Sequence, residues 1–187
     1  MKSSTGTDAV FEDVGLTSTL DRTALEHHFD SLMAANGPAL ARLAASYTNT
    51  LTDRDDLLQE IAIAIWQALP RFRGECSERT FLFRIAHNRG IAYLARSRSQ
   101  THEQAEETDV RDPKPDPEIE LAQVQVAERL RQAIHRLPLV YRQVITLALE
   151  DLGYGEIAQV LGISETNVGV RLSRARQILR ESLEFYR

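Results

Sequence analysis

The sequence contains one cysteine, nine glycines and six prolines in 187 residues, and aromatic residues make up only 6% of it. Because Cys76 has no second cysteine to pair with, the class of small secreted domains held by internal disulfides is excluded. Glycine is scarce and runs of alternating β-branched residues are few, which disfavours strands. We therefore expect an all-α fold.

Long apolar runs are also absent. The longest uninterrupted run, residues 61–66, is far shorter than the roughly 20 residues that a membrane-spanning helix needs. The start of the chain, MKSSTGTDAVFEDVGL, lacks the apolar stretch of a signal peptide. The sequence predicts a cytoplasmic protein that does not insert into a membrane.

The net charge of −5 hides a segregation of charges along the chain. Residues 71–98 hold seven arginines against two glutamates, and residues 171–187 hold five arginines against two glutamates. Between these basic blocks, residues 103–120 hold eight acids against two basic residues. Because local fields act more strongly than the net charge, both basic blocks remain suited to binding nucleic acid.

An acidic, proline-containing segment divides the chain into two units. Residues 1–20 lack periodicity, and we expect a disordered or weakly ordered extension there. Residues 99–117 have three prolines among many acids, which predicts a flexible linker. Apolar residues recur at helical spacing over 21–98 and 118–187, so we expect a small domain of four helices on each side of the linker.

Breaks in the apolar pattern predict the helix ends of the first unit. Asp21 is the expected N-cap of the first helix, and Gly37-Pro38 is expected to end that helix and open the second. Pro70 is expected to end the third helix, and Ser77 is expected to cap a long fourth one.

The stretch EIAQVLGISETNVGVRLSRAR, residues 156–176, predicts two helices joined by a tight turn. Gly162 suits the left-handed conformation that ends a helix, and Ser164 suits the N-cap of the next one. The second helix has apolar residues at helical spacing, which predicts its buried seam. The seam residues are Val168, Leu172, Ala175 and Leu179.

The other side of this second helix carries Asn167, Arg171 and Arg174. Asparagine pairs well with adenine and arginine with guanine, so such an exposed face suits the major groove of DNA. The alternative is an ordinary helical hairpin with a solvated arginine face, because such turns also occur in proteins that do not bind DNA.

Two long segments together carry a family resemblance. RLPLVYRQVITLALEDLGYGEIAQVLGISETNVGVRLSRARQILRESL, residues 136–183, resembles region four of bacterial RNA polymerase sigma factors of the extracytoplasmic-function (ECF) group. DLLQEIAIAIWQALPRFRGECSERTFLFRIAHNRGIAYLARSR, residues 56–98, resembles region two of the same family. The two motifs occur in the family's order, and the resemblance implies a subunit that directs promoter-specific initiation of transcription.

The resemblance implies that the second helix of the tight-turn motif reads the −35 promoter element. Family members commonly carry a lysine and a serine where this chain has Gly169 and Val170, so the preferred −35 sequence is open. The implied −35 contacts are Thr166, Asn167, Arg171, Arg174 and Arg176.

Region two of the family reads and melts the −10 element with a loop and the helix that follows it. Phe81 and Phe83 stand where the family usually has tryptophan and tyrosine, so stacking on bases remains available, with core packing of Phe81 as the alternative. On the long helix, Thr80, Arg84, His87 and Asn88 are expected on one exposed face. The implied −10 contacts are Arg71, Phe72, Arg73, Thr80, Arg84, His87 and Asn88.

Region two also docks on the clamp coiled coil of the polymerase's largest subunit. The matching helix is apolar nearly all round over residues 61–66, which is more than one buried stripe requires. The alternative for its apolar members is packing in the domain core, which we favour for Trp66. The implied contacts are Asp56, Gln59, Glu60, Ile63 and Trp66.

The partners implied by the resemblance are core RNA polymerase, through its clamp coiled coil and flap, promoter DNA, and an anti-sigma factor or other regulator. The acidic linker is implied to run through a polymerase channel, or else to be a solvated spacer. No cofactor and no metal are expected.

Two other classes of function remain as alternatives. A stand-alone helix-turn-helix regulator would use its N-terminal half for sensing or dimerisation, and it would bind DNA without polymerase. An enzyme would have to use His27, His28, Cys76 or His87, which have neither the spacing of metal ligands nor a nucleophile–base pattern. We expect a protein that is not an enzyme.

Overall fold

The computed structural model describes the backbone of residues 13–101 and 129–184 and the side chains of residues 22–97 and 129–183. Every regular element in these ranges is helical, so the expected all-α fold is confirmed. The first unit contains α1 (Asp13–Ala45), α2 (Leu51–Ala68), a 3-10 turn (Leu69–Arg71) and α3 (Glu78–Thr101). The second contains α4 (described over 129–136), α5 (Leu139–Leu149), α6 (Tyr154–Leu161) and α7 (Glu165–Glu184).

The first unit is a bundle in which α1, α2 and α3 pack against one another around fully buried apolar side chains. Thr50 caps α2 by accepting from the backbone N–H of Asp53 at 3.0 Å. Ser77 caps α3 in the same way, accepting from the N–H of Thr80 at 3.0 Å, as the sequence predicts. The largest fully buried residues of the first unit are Leu40, Leu43, Leu57, Ile61, Ile65, Leu82 and Phe83.

The predicted break at Gly37-Pro38 is wrong, because α1 runs through both residues. A proline inside a helix costs roughly 3 kcal/mol. The buried stripe of α1 nevertheless continues on both sides of it, from Leu32 through Ala39 to Leu43, and an uninterrupted helix keeps that stripe in register with α2 and α3. The N-cap predicted at Asp21 is also wrong, since α1 begins at Asp13.

The predicted linker lies almost entirely outside the described residues. Helix α3 continues to Thr101 and so includes the first three residues of the 99–117 segment. Residues 102–128 are not described, and the helix start predicted near residue 118 falls among them. Of the predicted N-terminal extension, residues 1–12 are likewise outside the described part, while residues 13–20 have helical backbone.

The second unit packs α5 and α6 against the long helix α7. The tight turn between α6 and α7 has the predicted chemistry: Gly162 is left-handed with φ 66°, and Ser164 accepts from the N–H of Asn167 at 3.2 Å. The predicted seam of α7 is confirmed, since its four members are at most 8% exposed. They are Val168, Leu172, Ala175 and Leu179.

The two units touch each other directly, with α1 and α3 of the first against α5 and α6 of the second. Tyr47, just after α1, is 3% exposed and packs on α3 within the first unit. A Cβ added at Gly90 of α3 would be 2.5 Å from the Tyr47 ring. Arg142 of α5 donates to the carbonyl of Ser46 at 3.0 Å, and His135 of α4 hydrogen-bonds the carbonyl of Thr48 at 2.9 Å. The second unit therefore docks on α3 and on the C-terminal end of α1.

Candidate nucleic-acid and polymerase interfaces

The outward side of α7 presents polar and cationic side chains from a rigid support. None of the five predicted −35 residues is buried. Arg171 donates through Nε to Oδ1 of Asn167 at 2.9 Å, which fixes the two side chains as a pair one turn apart. Arg174, on the same side, donates to Gln177 at 3.2 Å. The amide and guanidinium groups thus form one face that can meet base edges and phosphates.

An open groove lies where α6 begins beside α7. The ring of Tyr154 is 46% exposed and lies over Gly169, where an added Cβ would be 3.6 Å from it. Ser173, Arg176 and Arg180 continue the groove along α7. Gly169, which departs from the family's usual residue, therefore faces a neighbouring aromatic ring as well as solvent.

The loop between the 3-10 turn and α3 forms a smaller basic groove of about 280 Å³. Its apolar wall is made by Phe72 and Phe81, whose ring centroids are 4.6 Å apart, and Arg84 lies 6.0 Å from the centroid of Phe81. Arg71 and Arg73 are exposed at its rim. Half-exposed aromatic rings beside arginines are what stacking and phosphate contact with a single strand require.

The exposed face predicted for α3 is only partly correct. Asn88 is exposed and Arg84 is half-buried, whereas Thr80 is 1% exposed and His87 is 9% exposed. Thr80 is enclosed because its hydroxyl donates to Glu156 of α6 at 3.0 Å. The expected exposure of both residues is therefore wrong: Glu156 of the second unit covers Thr80, and His87 is buried against Tyr47 of the first unit.

His87 is a buried histidine of the first unit. Its Nδ1 and the hydroxyl of Tyr47 are hydrogen-bonded at 2.7 Å. Burial lowers the pKa of His87 to about 4, because the charged imidazolium would lose its hydration. Burial likewise raises the pKa of Tyr47 above its ordinary range, so the phenol keeps its proton. At neutral pH His87 supplies no positive charge for a phosphate.

Phe83 is fully buried and has Arg79 5.6 Å from its ring centroid, so its ring does not face the groove. Of the two phenylalanines considered for stacking, Phe81 alone has an exposed part.

One side of α2 remains uncovered and carries the predicted polymerase contacts. Asp56, Gln59 and Ile63 follow each other at three- and four-residue steps and are all exposed, with Ile63 at 57%. Glu60 belongs to the same side and is paired with Arg96 of α3 at 2.7 Å. Trp66 is half-buried, with its ring edge-on to Phe29 at 5.4 Å between centroids. An exposed isoleucine among acids and amides is suited to a protein partner.

Comparison with known proteins identifies both units. A family model described as Sigma-70 region 2 matches residues 32–100, and one described as Sigma-70, region 4 matches residues 127–179. The RNA polymerase sigma factor NccH of Alcaligenes xylosoxydans xylosoxydans is 32% identical over 165 residues, which cover 85% of this chain and 88% of that protein. The chain belongs to the sigma-70 family.

Similarity to ECF sigma factors identifies the subgroup of the sigma-70 family. The ECF RNA polymerase sigma-E factor of Haemophilus influenzae is 31% identical over 166 residues, covering 83% of this chain and 87% of that protein. The ECF RNA polymerase sigma factor SigM of Mycobacterium tuberculosis is 30% identical over 158 residues, covering 84% and 78%. The protein is a sigma factor of this group and directs promoter-specific transcription.

Solved structures share the fold. CnrH in complex with the cytosolic domain of CnrY aligns with a TM-score of 0.62 at 30% identity, covering 85% of this sigma factor and 89% of that chain. The sigma factor RpoE of Bartonella quintana, solved with the anti-sigma factor NepR, aligns with a TM-score of 0.70 at 22% identity, covering 86% and 99%. The first unit of this sigma factor is thus region two, and the second is region four.

Sequence reasoning missed the residues with which the two regions of this sigma factor hold each other. Arg42, Glu150 and Glu156 belong to that set. Glu156 had one visible signal, because its position three residues after Gly153 suits a cap of α6, and its carboxylate does accept from the N–H of Gly153 at 3.0 Å. Arg42 and Glu150 are 108 positions apart, and helical periodicity carries no information on such a pair.

Over the described residues, this sigma factor shows no group of three or more histidine, cysteine, aspartate or glutamate side chains arranged to hold a metal ion. Within the same ranges, no helix is both long enough and apolar enough to span a bilayer.

Proposed function

We propose that this sigma factor grips promoters at two points while bound to core RNA polymerase through α2. Region four reads the −35 element with α7, and region two captures and melts the −10 segment with the loop after the 3-10 turn and α3. The observation that carries this proposal is the pair of separate cationic, outward surfaces on two helical units of a sigma-70 family member.

The −35 proposal rests on the paired Asn167 and Arg171. A side chain held in place by its neighbour loses less conformational entropy when it meets a base. Thr166 and Arg174 flank the pair, and Arg176 lies one turn beyond on the groove side. In this assignment the pair reads base edges, and the exposed arginines hold phosphates.

The −10 proposal rests on the Phe72–Phe81 wall and the arginines around it. A base pulled from the duplex gains a stacking surface on these rings while Arg71 and Arg73 neutralise the backbone. Arg84 and Asn88 extend the contact along α3. Thr80 can join it only if Glu156 of region four leaves it, and His87 only if it leaves Tyr47 of region two.

The polymerase proposal rests on the exposed side of α2. Ile63 supplies an apolar contact, and Asp56, Gln59 and Glu60 supply polar and acidic ones. Trp66 packs edge-on against Phe29 and thereby supports this side of α2.

Regulation and location follow from the same assignment. CnrH, which is 30% identical, was solved with the cytosolic domain of CnrY. We expect this sigma factor also to be held by an anti-sigma factor or other regulatory protein, and to act in the cytoplasm, where polymerase and promoters are. It supplies specificity and strand capture to the polymerase and is not itself an enzyme.

In vitro transcription with core enzyme tests the −35 assignment. Replacing Arg171 by alanine should lower initiation from −35-dependent promoters about tenfold, since a good arginine–base pair contributes roughly 1–3 kcal/mol of discrimination. Binding to core should stay unchanged. Arg22→Ala, an exposed arginine on α1, is the matched control and should leave both measurements unchanged.

Three outcomes would contradict the proposal. Loss of core binding in the Arg171 variant would mean that α7 serves the polymerase interface. Tight, specific binding of the wild-type chain to promoter DNA without core would favour a stand-alone regulator. Failure of the wild-type chain to initiate with core from any promoter of a library would reject the two-point grip.

Replacing Ile63 by serine tests the polymerase assignment. Removal of an apolar contact from an interface should weaken core binding about tenfold. The free energy of unfolding should change little, because the side chain is already 57% exposed. Ile91→Ser, an exposed isoleucine on α3, is the control, and equal losses of core binding in both variants would reject the assignment.

A further inference from the structure

The most exposed large apolar side chain in the described ranges lies on α7, the helix that we assign to the −35 element. Val170 is 65% exposed, more than Ile63, which is 57% exposed on the side of α2 assigned to the polymerase. Lone apolar residues are common on protein surfaces. Val170 differs from them in its position, because it lies within the stretch of α7 that carries the implied −35 contacts, between Thr166 and Arg176.

Val170 lies on the side of α7 that faces away from the core of region four. It is two positions from Val168 and two from Leu172, which are both fully buried in the seam. Two positions on an α-helix correspond to about 200° of rotation, so Val170 lies near the middle of the opposite face. Asn167 and Arg171 are half-buried and lie nearer to the edge of that face. If α7 lies in the major groove, Val170 is therefore directed at the base edges.

The neighbours of Val170 on this face are polar, and several of them are short. Thr166 and Ser173, four residues before Val170 and three after it, are exposed, and so is Arg174, four residues after it. Gly169 adds no side chain beside it. A valine extends little from the helix, so it can reach a base only if α7 lies deep in the groove. The short neighbours permit that approach, while Arg174 can still extend to a phosphate.

One apolar group among hydrogen-bonding groups matches the major-groove edge of an A·T pair. Thymine presents its C5-methyl group there beside the O4 acceptor, and the paired adenine presents N7 and N6–H₂. The valine side chain has no donor or acceptor, so it gains from the methyl group and gains nothing comparable from a G·C pair. A protein partner is a poorer match, because the side chains three and four positions from Val170 are all polar or charged.

We propose that Val170 is a specificity-determining residue that reads the C5-methyl group of a thymine in the −35 element. The proposal rests on the assignment of α7 to that element, and it deepens that assignment. It predicts a thymine in the part of the −35 sequence that is left open where Gly169 and Val170 replace the family's common lysine and serine. The preference arises because the valine and the methyl group exclude water from each other's surface.

Replacing thymine by deoxyuridine tests the contact, because the two bases differ only in the C5-methyl group. A promoter that the wild-type sigma factor uses with core enzyme is synthesised with each −35 thymine, on either strand, replaced singly. The DNA is unmethylated, so thymine is the only base in it that carries this group. Abortive initiation with the full-length chain and core measures the apparent promoter affinity of the wild type, Val170→Ala and Val140→Ala. Val140 is 43% exposed on α5 and is the matched control.

In the wild type, deoxyuridine at one −35 position should lower the apparent affinity about fourfold, the factor expected for burying one methyl or methylene group. Val170→Ala should lower the affinity for the thymine promoter by about the same factor and should lose the preference for thymine over deoxyuridine. Val140→Ala should keep the wild-type preference. Val170→Ser, which restores the family's common residue, should lose it as Val170→Ala does. Both Val170 variants should fold as the wild type, because the replaced side chain is mostly exposed.

Equal affinity of the wild type for every deoxyuridine-substituted promoter would overturn the role of Val170, and so would a −35 element without any A·T pair. A deoxyuridine effect of unchanged size in Val170→Ala would also overturn it. Loss of core binding in that variant, with the deoxyuridine effect retained, would assign Val170 to the polymerase instead. Failure of the wild type to initiate with core from any promoter would reject the proposed function itself, whereas initiation without a methyl effect would reject only the role of Val170.

Discussion

The two helices that carry predicted DNA contacts, α3 and α7, differ in what covers them. On α7 none of the predicted contacts is buried, whereas on α3 Thr80 and His87 are enclosed and Asn88 is exposed. Both helices have one side in the core of their own region. Helix α3 has a second side against the other region, so the surface available to DNA depends on the arrangement of regions two and four, and not on the helix alone.

The largest expected effect comes from breaking the packing of Tyr47 against α3 inside region two. Gly90→Val would put a Cβ 2.5 Å from the ring of Tyr47, a residue that is 3% exposed. We expect a loss of more than about 3 kcal/mol in the free energy of unfolding, because overpacking a buried site forces backbone shifts. Denaturant unfolding followed by circular dichroism measures it.

Gly37→Ala is the control for this change, since, apart from the adjacent residues and the backbone of α1 itself, no atom lies within 4 Å of a Cβ at that position. Alanine there should change the free energy of unfolding by less than about 1 kcal/mol, because its gain in helix propensity is offset by the contact of its Cβ with the ring of Pro38. A Gly90→Val chain as stable as the wild type would mean that Tyr47 can move away, and that the tight contact between α1 and α3 is not required.

A pH titration sharpens the comparison, because His87 is a buried titratable residue of α3 that contacts Tyr47. The unfolded imidazole binds a proton below about pH 6.5, whereas the folded one does so only near pH 4. The contribution of His87 to the free energy of unfolding is therefore fully present above pH 6.5 and is lost as the pH falls toward 4. The loss is about 1.4 kcal/mol per pH unit, or roughly 3 kcal/mol between pH 6.5 and pH 4. Unfolding free energies measured at pH 7, 6, 5 and 4 give this slope.

His87→Gln removes the titrating group while leaving His135, whose pKa burial also lowers, in both chains. The difference in slope between the wild type and His87→Gln isolates His87. Equal slopes would mean that the imidazole accepts a proton without leaving its site against Tyr47.

Local sequence signals predicted what each region does by itself. The spacing of Val168, Leu172 and Ala175 was sufficient to identify the seam of α7, because a helix buries one stripe wherever its partner lies. The break predicted at Gly37-Pro38 failed because packing along the whole of α1 outweighs the local preference of a proline. The covering of Thr80 could not be predicted, since it depends on Glu156, which is 76 positions away.

The smallest expected loss of stability comes from replacing one left-handed glycine in each region by alanine. Gly162 in the turn of region four has φ 66° and Gly74 in the loop of region two has φ 73°, and neither has an atom within 4 Å of an added Cβ. Alanine at either position should cost roughly 1–2 kcal/mol through the left-handed backbone alone. The two variants should differ in the promoter step that they impair. Gly162→Ala should misorient α7 and lower −35-dependent initiation. Gly74→Ala should reduce melting of the −10 segment, which is measured by the permanganate reactivity of unpaired thymines. If both variants impaired the same promoter step, the assignment of the two elements to separate regions would be wrong.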